Sequence, residues 1–329
     1  MSRIGIVGAG AFGTALAALA ARNGHQPLLW SHGEAAAAAI NGRHCNEAHL
    51  PGVVLDPAIR ATTDMAALAA SEALLLVTPA QSVRAVVRRL KAAIGPGTPL
   101  VICAKGIEHE TGLLMDQVLA QEWPGARVAV LSGPGFAAEI AAGLPAAVTL
   151  AGPDPDELRR LAAMIATPAF RIYFSADLAG AQIGGAVKNV LAIACGIVDG
   201  RRLGQSARAA LVSRGFAEMR RLGLAMGAQG ETLSGLAGLG DLILTGTSTA
   251  SRNYSVGRRL GEGGSLDEWC AANRAVAEGV HTAPVLMTLA AKWRVDMPIC
   301  AAVAAVLAGD LELDAAIHGL LTRPLTREI

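Results

Sequence analysis

Two lysines, an aspartate and an arginine are of the types, and in the settings, that could serve proton transfer and anion binding. Lys188 lies in residues 184–196, an apolar, small-residue run of helical pattern, with Asn189 beside it. A lysine in such a run either lays its stem on the surface and snorkels to water, or faces a cleft. In a cleft, desolvation and neighbouring cations lower its pKa and fit it for proton chemistry. This stretch alone leaves both readings open. Lys105 follows the apolar run 99–104 and precedes Gly106, as a solvated loop lysine or as a ligand group. Asp241 follows Gly238-Leu239-Gly240, and a hydroxyl-rich stretch then ends in Ser251-Arg252-Asn253. The planar fork of Arg252, the amide of Asn253 and the hydroxyl of Ser251 suit a phosphate. The same residues also read as an N-capped helix start with a surface arginine. Glu278, before Gly279, either hydrogen-bonds a ligand or ends a local turn.

These groups need a scaffold, and the start of the chain indicates which. Residues 3–7 form a buried-strand run, followed by Gly8-Ala9-Gly10-Ala11-Phe12-Gly13 and a helical pattern over 14–20. This is G-x-G-x-x-G between a strand and a helix. Gly8 permits the tight turn, Gly10 lets a pyrophosphate approach the backbone, and Gly13 lets helix and strand pack closely. The helix N-terminus then meets the phosphates with free N–H groups and a favourable dipole. A second strand over 26–30 ends in Ser31-His32, with Glu34 beyond. A strict NAD site usually carries an acid at this tip for the ribose hydroxyls. The tip here tolerates a 2′-phosphate, so it leans to NADP with NAD still open. His32 is either a cofactor contact or a solvated loop residue.

Further strand runs at 73–77, 99–104 and 127–131 alternate with helical patterns, which argues for a parallel doubly wound sheet. Ligands of such sheets bind at the carboxyl ends of the strands, here Thr78, Pro79, Lys105, Ser132 and Gly133. Residues 146–151 and 170–174 add a later strand pair, and from Ile183 on the patterns are helical. The expected fold is therefore α/β: a Rossmann-type doubly wound parallel sheet over residues 1–182, then an all-helical substrate domain over 183–329.

Composition agrees. A chain of 329 residues, 52% hydrophobic and 17% charged, holds more than one ordinary core. A net charge of +1 and 3% aromatic content give no reason to expect a nucleic-acid or membrane-surface partner. The five cysteines have no paired or zinc-type spacing and read as reduced thiols of a cytoplasmic protein. No metal cluster, secretory signal or membrane span is expected.

Taken together, residues 8–17, Ala104-Lys105-Gly106-Ile107-Glu108, Ser132-Gly133-Pro134, residues 184–190, Gly240-Asp241-Leu242, Ser251-Arg252-Asn253 and Glu278-Gly279 closely resemble the bacterial NAD(P)-dependent glycerol-3-phosphate dehydrogenases. The resemblance covers nearly the whole chain in order. It implies reversible hydride transfer between NAD(P)H, NADPH favoured, and a small phosphorylated triose, dihydroxyacetone phosphate, giving sn-glycerol 3-phosphate for phospholipids. By the same resemblance Lys188 is the general acid and base and also meets the substrate. Lys105 lies between cofactor and substrate. Gly133, Gly135, Asp241, Ser251, Arg252 and Asn253 line the substrate site. Ala11, Phe12, His32, Ala137, Arg252, Val276 and Glu278 join Gly8, Gly10 and Gly13 on the cofactor. No stable membrane insertion is implied, and a homodimer is compatible with the resemblance.

Three positions depart from the family pattern. Gly135 replaces a usual Ser or Thr, Gly246 a usual Cys, and Ala11 a common Ser. Two other readings share parts of the pattern. A β-hydroxyacid dehydrogenase would want G-x-x-x-K-x-x-x-N, but Ala192 stands at the last position. A cofactor-binding regulator without turnover would have no use for Lys188 and Lys105.

Overall fold

The computed structural model describes residues 2–95, 97–273 and 277–324. Its first half is built on eight strands of one sheet: β1 (Arg3–Val7), β2 (Gln26–Trp30), β5 (Arg60–Thr62), β6 (Ala73–Leu76), β7 (Leu100–Ile102), β8 (Val128–Ser132), β9 (Ala146–Ala151) and β10 (Phe170–Ser175). A small antiparallel pair, β3 (Cys45–Asn46) and β4 (Leu50–Val54), stands apart. The strand order is β10-β9-β8-β7-β6-β1-β2-β5. The order reverses at β1, which pairs with β2 on one side and β6 on the other, both parallel. Such a reversal opens a crevice at the carboxyl ends of the strands, and the glycine loop after β1 sits there.

The expected all-parallel sheet needs one correction. β8 and β9 pair antiparallel, and β10 then runs parallel to β9. The connection explains this. The helix Ala137–Ala142 between β8 and β9 has six residues, spanning about 9 Å. A five-residue strand spans about 17 Å, so this helix cannot carry the chain back to the far end of the sheet. β3, β4 and β5 were also not foreseen from the sequence.

Both faces of the sheet are covered. Ile4 and Ile6 join Leu16, Leu19, Leu29 and Leu131 in one apolar cluster. Val7, Leu76 and Ile102 join Val83, Leu90 and Leu119 in another. A third cluster surrounds a single long helix, Leu178–Gly200. Asp177 caps it, its Oδ1 accepting the Gly180 N–H at 2.8 Å, so the helix begins before the division at residues 182 and 183 read from the sequence. By length and hydropathy it resembles a membrane span, yet its whole apolar window is buried inside the protein. Among the described residues beyond it every regular element is helical. The helix Arg252–Gly261 crosses it closely, with Gly196 against the Tyr254 backbone and Gly257 against the Ile193 backbone.

Candidate active site

The glycine loop has the shape that a dinucleotide requires. Gly8 has a φ of 121°, where a side chain is strained and a Cβ would stand 2.9 Å from the Val77 carbonyl oxygen. A Cβ on Gly13 would strike the Gly8 carbonyl oxygen. Gly10 is the N-cap of the helix Ala11–Arg22. No side chain caps that helix and its first turn holds no acid, so its first N–H groups face the crevice unopposed. The loop is braced from behind. Thr14 Oγ1 donates to the Gly10 carbonyl at 2.9 Å, and the buried Asn46 donates to Ala9 O and Thr14 Oγ1, both at 2.8 Å. Ala11 and Phe12 follow half-buried. His32 is exposed at the tip of β2, its ring centroid 6.3 Å from that of Trp30. Ala137 is half-buried at the start of its helix beyond β8.

Across the crevice, Asp241 bridges the two lysines. Lys105 Nζ lies 2.6 Å from Asp241 Oδ2 and also donates to the Gly133 carbonyl at 2.7 Å. Lys188 Nζ lies 3.2 Å from Asp241 Oδ1. The aspartate is 1% exposed and Lys188 6%, so the snorkelling reading of Lys188 does not hold. Burial pushes the Lys188 amine down to about 8. Asp241 opposes that shift, while the positive charges of Lys105 and Arg252 add to it. Two cations share one anion, so the centre carries net positive charge even before Arg252 is counted. It is suited to an anionic ligand.

Small residues bring these groups together. A Cβ on Gly185 would stand 2.9 Å from Ser132 Oγ and 3.3 Å from Lys105 Cγ, so the absence of a side chain there lets the Lys105 loop lie against the long helix. Gly133, with φ 145°, packs on Val148. At Gly135 a Cβ would stand 2.7 Å from Ile140 Cδ1: Ile140 fills the space where the family's Ser or Thr would begin. Arg252 opens the helix Arg252–Gly261. Its side chain reaches solvent, yet protein crowds around it and lowers its pKa, an effect that Glu278 opposes. Ser251 is indeed the N-cap, its Oγ accepting the Tyr254 N–H at 3.3 Å. Asn253 points inward: its Nδ2 donates to Asn189 Oδ1 and its Oδ1 accepts the Gly279 N–H, both at 2.9 Å. One amide N–H of Asn253 remains for a ligand. Glu278 Oε1 accepts the Ala80 N–H at 3.1 Å, tying the helix Glu278–Trp293 to the loop after β6. Burial raises the Glu278 carboxyl above its usual range, against the pull of the Ala80 N–H, His281 and Arg252. Val276 lies outside the described residues.

Three buried polar atoms around this crevice have no partner among the described residues: Thr78 Oγ1, Ser132 Oγ and Glu278 Oε2. Buried polar atoms are rarely left so, and where they are a catalytic or binding role is one explanation. Thr78 and Ser132 were visible in the sequence only as strand ends. Asn189 and Asn46 were given no role there, because a lone amide carries no motif. Among the described residues no cluster of His, Cys, Asp or Glu could hold a metal.

A buried amine of lowered pKa lies beside a crevice shaped for a dinucleotide. That arrangement suits the class of nicotinamide-dependent oxidoreductases. Residues 3–158 match the family model of the NAD-dependent glycerol-3-phosphate dehydrogenase N-terminus, and residues 177–318 match that of its C-terminus. The chain belongs to the NAD-dependent glycerol-3-phosphate dehydrogenase family. It is 53% identical over 326 residues to a glycerol-3-phosphate dehydrogenase (NAD(P)+) of Parvibaculum lavamentivorans, covering 99% of this chain and 98% of that one. It is 52% identical over 329 residues to that of Rhodospirillum rubrum, covering 100% and 94%. The crystal structure of the glycerol-3-phosphate dehydrogenase of Coxiella burnetii superposes with a TM-score of 0.95 at 38% identity, covering 98% of this chain and 99% of that one.

Proposed function

We propose that this protein interconverts dihydroxyacetone phosphate and sn-glycerol 3-phosphate with NADP(H) or NAD(H), with NADPH preferred. The observation that carries the proposal is Asp241 held between Lys105 and Lys188 at the carboxyl edge of the sheet. The nicotinamide, when bound, supplies or accepts the hydride. The loop Gly8–Gly13 with Ala11 and Phe12 holds the pyrophosphate. His32 lies at the adenosine ribose, and Ala137, Val276 and Glu278 complete the cofactor contacts. Gly133 and Gly135 offer backbone to the substrate, while Arg252 and Asn253, with Ser251, take its phosphate. As the ketone is reduced its oxygen gains negative charge. Protonated Lys188 stabilises that oxygen and delivers a proton from Nζ, with Lys105 adding positive charge nearby. In oxidation the neutral amine of Lys188 takes the hydroxyl proton. Asp241 holds both lysines against their mutual repulsion. We place the reaction in the cytoplasm, supplying the glycerol backbone of phospholipids, and divide the chain into a cofactor domain and a substrate domain, moving the boundary from residues 182 and 183 back to Asp177, the cap of the long helix.

The test is direct. Purified protein should oxidise NADPH, and NADH more slowly, once dihydroxyacetone phosphate is added. No oxidation with either cofactor would sink the proposal. Lys188→Ala should lose at least about a hundredfold in turnover while still binding cofactor. The pH sign follows from the amine at about 8. Reduction needs the protonated form, so its rate falls as pH rises through 8. Oxidation needs the neutral form and rises over the same interval. Both limbs should vanish in Lys188→Ala.

A further inference from the structure

The glycine loop is open on its cofactor side, and that openness leaves one of its peptide planes poorly held. Gly10 has no side chain, and nothing lies within 4 Å of the place where its Cβ would stand. The Ala9–Gly10 plane therefore has room to turn over, since the rotations on either side of a rigid peptide are soft and glycine adds no steric barrier. Turned over, it would put the Ala9 carbonyl oxygen where the Gly10 N–H now points. The helix ladder does not prevent this. It reaches back to Gly10 O, which takes the Thr14 N–H at 2.9 Å, and stops one residue short of Ala9. Asn46 supplies the missing hold. Its Nδ2 donates to Ala9 O and to Thr14 Oγ1, both at 2.8 Å, and Thr14 Oγ1 donates to Gly10 O at 2.9 Å. Asn46 is 1% exposed and Thr14 0%, so water cannot take the place of either. The Asn46 amide has one usable orientation, because reversed it would set oxygen against Ala9 O. It reaches this place from β3, outside the main sheet. His44, at a φ of 50°, turns the chain out of the helix Glu34–Arg43 just before it.

We propose that Asn46 and Thr14 are positioning residues that lock the Ala9–Gly10 peptide in the orientation a bound pyrophosphate requires. In a trans peptide the C=O and the next N–H point opposite ways. Holding Ala9 O against Asn46 therefore keeps a partial negative charge away from the phosphates and turns the Gly10 N–H to the open side, beside the free N–H groups of the helix Ala11–Arg22. Without the lock the plane populates both orientations. The cofactor then binds only the competent fraction, and its apparent affinity falls by that fraction. Both side chains act through the backbone in front of them. The lock rests on reading this loop as the pyrophosphate site, and it is independent of which substrate the enzyme reduces.

The experiment is a fluorescence titration of NADPH into wild type, Asn46→Leu, Thr14→Val, Thr14→Ser and Gly10→Ala, each well below its unfolding temperature. Asn46→Leu keeps the volume and removes both donors, so the Kd for NADPH should rise about tenfold, one hydrogen bond's worth. Thr14→Val leaves the bond to Ala9 O in place and should show a smaller loss, and it carries the test if Asn46→Leu does not fold. Thr14→Ser restores the hydroxyl and should return to within about twofold of wild type. The reacting groups are untouched, so kcat at saturating NADPH should stay within about threefold of wild type while the KM for NADPH follows the Kd. Normal affinity in Asn46→Leu or Thr14→Val beside weakened Gly10→Ala would overturn the lock. So would Thr14→Ser binding as weakly as Thr14→Val, or a loss of kcat at unchanged Kd. Normal affinity in every variant, Gly10→Ala included, would overturn the reading of the loop as the pyrophosphate site and the lock with it. The titration needs no turnover, so it decides even if dihydroxyacetone phosphate proves not to be the substrate.

Discussion

Two helix N-termini face the crevice, and they are made in opposite ways. The helix Ala11–Arg22 begins at Gly10 with no side-chain cap. It offers bare backbone N–H groups. The helix Arg252–Gly261 begins at Ser251, whose hydroxyl already takes one of those N–H groups, and it projects the Arg252 side chain. Neither has an acid in its first turn, so the positive end of each dipole is unopposed. The first suits a pyrophosphate lying along the backbone. The second suits a terminal phosphate gripped by a planar fork of donors. One cleft therefore offers backbone donors at one helix end and side-chain donors at the other, and the two should respond differently to substitution.

The largest difference is expected at Gly13. A methyl group there meets the Gly8 carbonyl oxygen, which is backbone and cannot swing aside. Gly13→Ala should cost about 3 kcal/mol of stability, the upper end for an overpacked site, and should abolish detectable cofactor binding. Denaturant unfolding and a cofactor titration check both. A stable variant with normal cofactor affinity would mean that the loop is not the rigid cradle described here.

The same contrast explains what the sequence made legible. The glycine loop could be read because its geometry is local: turn, approach and packing are all written within six residues. Lys105, Lys188 and Asp241 were each visible as groups in odd surroundings, but only the fold shows one carboxylate between two amines. The inward turn of Asn253 was not visible, since an amide suits a phosphate or a neighbouring amide equally well. β3 and β5 have two and three residues, too few for a periodic pattern, and β4 contains Pro51 and Gly52. With β3 unseen, Asn46 behind the glycine loop could not be found. The reversal at β9 follows from the shortness of the helix Ala137–Ala142, and a strand's direction leaves no periodic pattern in the sequence.

At the side-chain site the main effect belongs to Arg252. Arg252→Ala should weaken dihydroxyacetone phosphate roughly ten- to a hundredfold in kcat/KM, the worth of a charge-assisted hydrogen bond of about 1.5–3 kcal/mol. Unphosphorylated dihydroxyacetone should be little changed. Arg252 also lowers the Lys188 amine, so the reduction limb should shift to higher pH in the same variant. Equal losses with both substrates would take Arg252 off the phosphate.

Gly10 gives a milder counterpart on the backbone side. No atom lies within 4 Å of a Cβ built there, and its φ of −74° suits any residue. Gly10→Ala should therefore fold as the wild type does. The added methyl group would meet only a bound cofactor, so the expected change is a loss of up to about tenfold in cofactor affinity, one hydrogen bond's worth. Unchanged affinity would show that the pyrophosphate does not approach this residue.

Ser251 is the smallest and most discriminating case, because two roles compete for one hydroxyl. As a cap it holds the Tyr254 N–H, and its loss costs about 1 kcal/mol of stability. As a ligand it would contribute to phosphate binding. Accepting the Tyr254 N–H occupies an oxygen lone pair and leaves the O–H free to donate, so the geometry permits both at once. Ser251→Ala should then lower unfolding stability by about 1 kcal/mol, raise the KM for dihydroxyacetone phosphate by less than Arg252→Ala does, and leave cofactor affinity at the other helix as it was. If stability falls with no change in KM, Ser251 only caps. If KM rises with no loss of stability, the helix does not depend on its cap, and the second terminus, like the first, has its N–H groups free for the ligand.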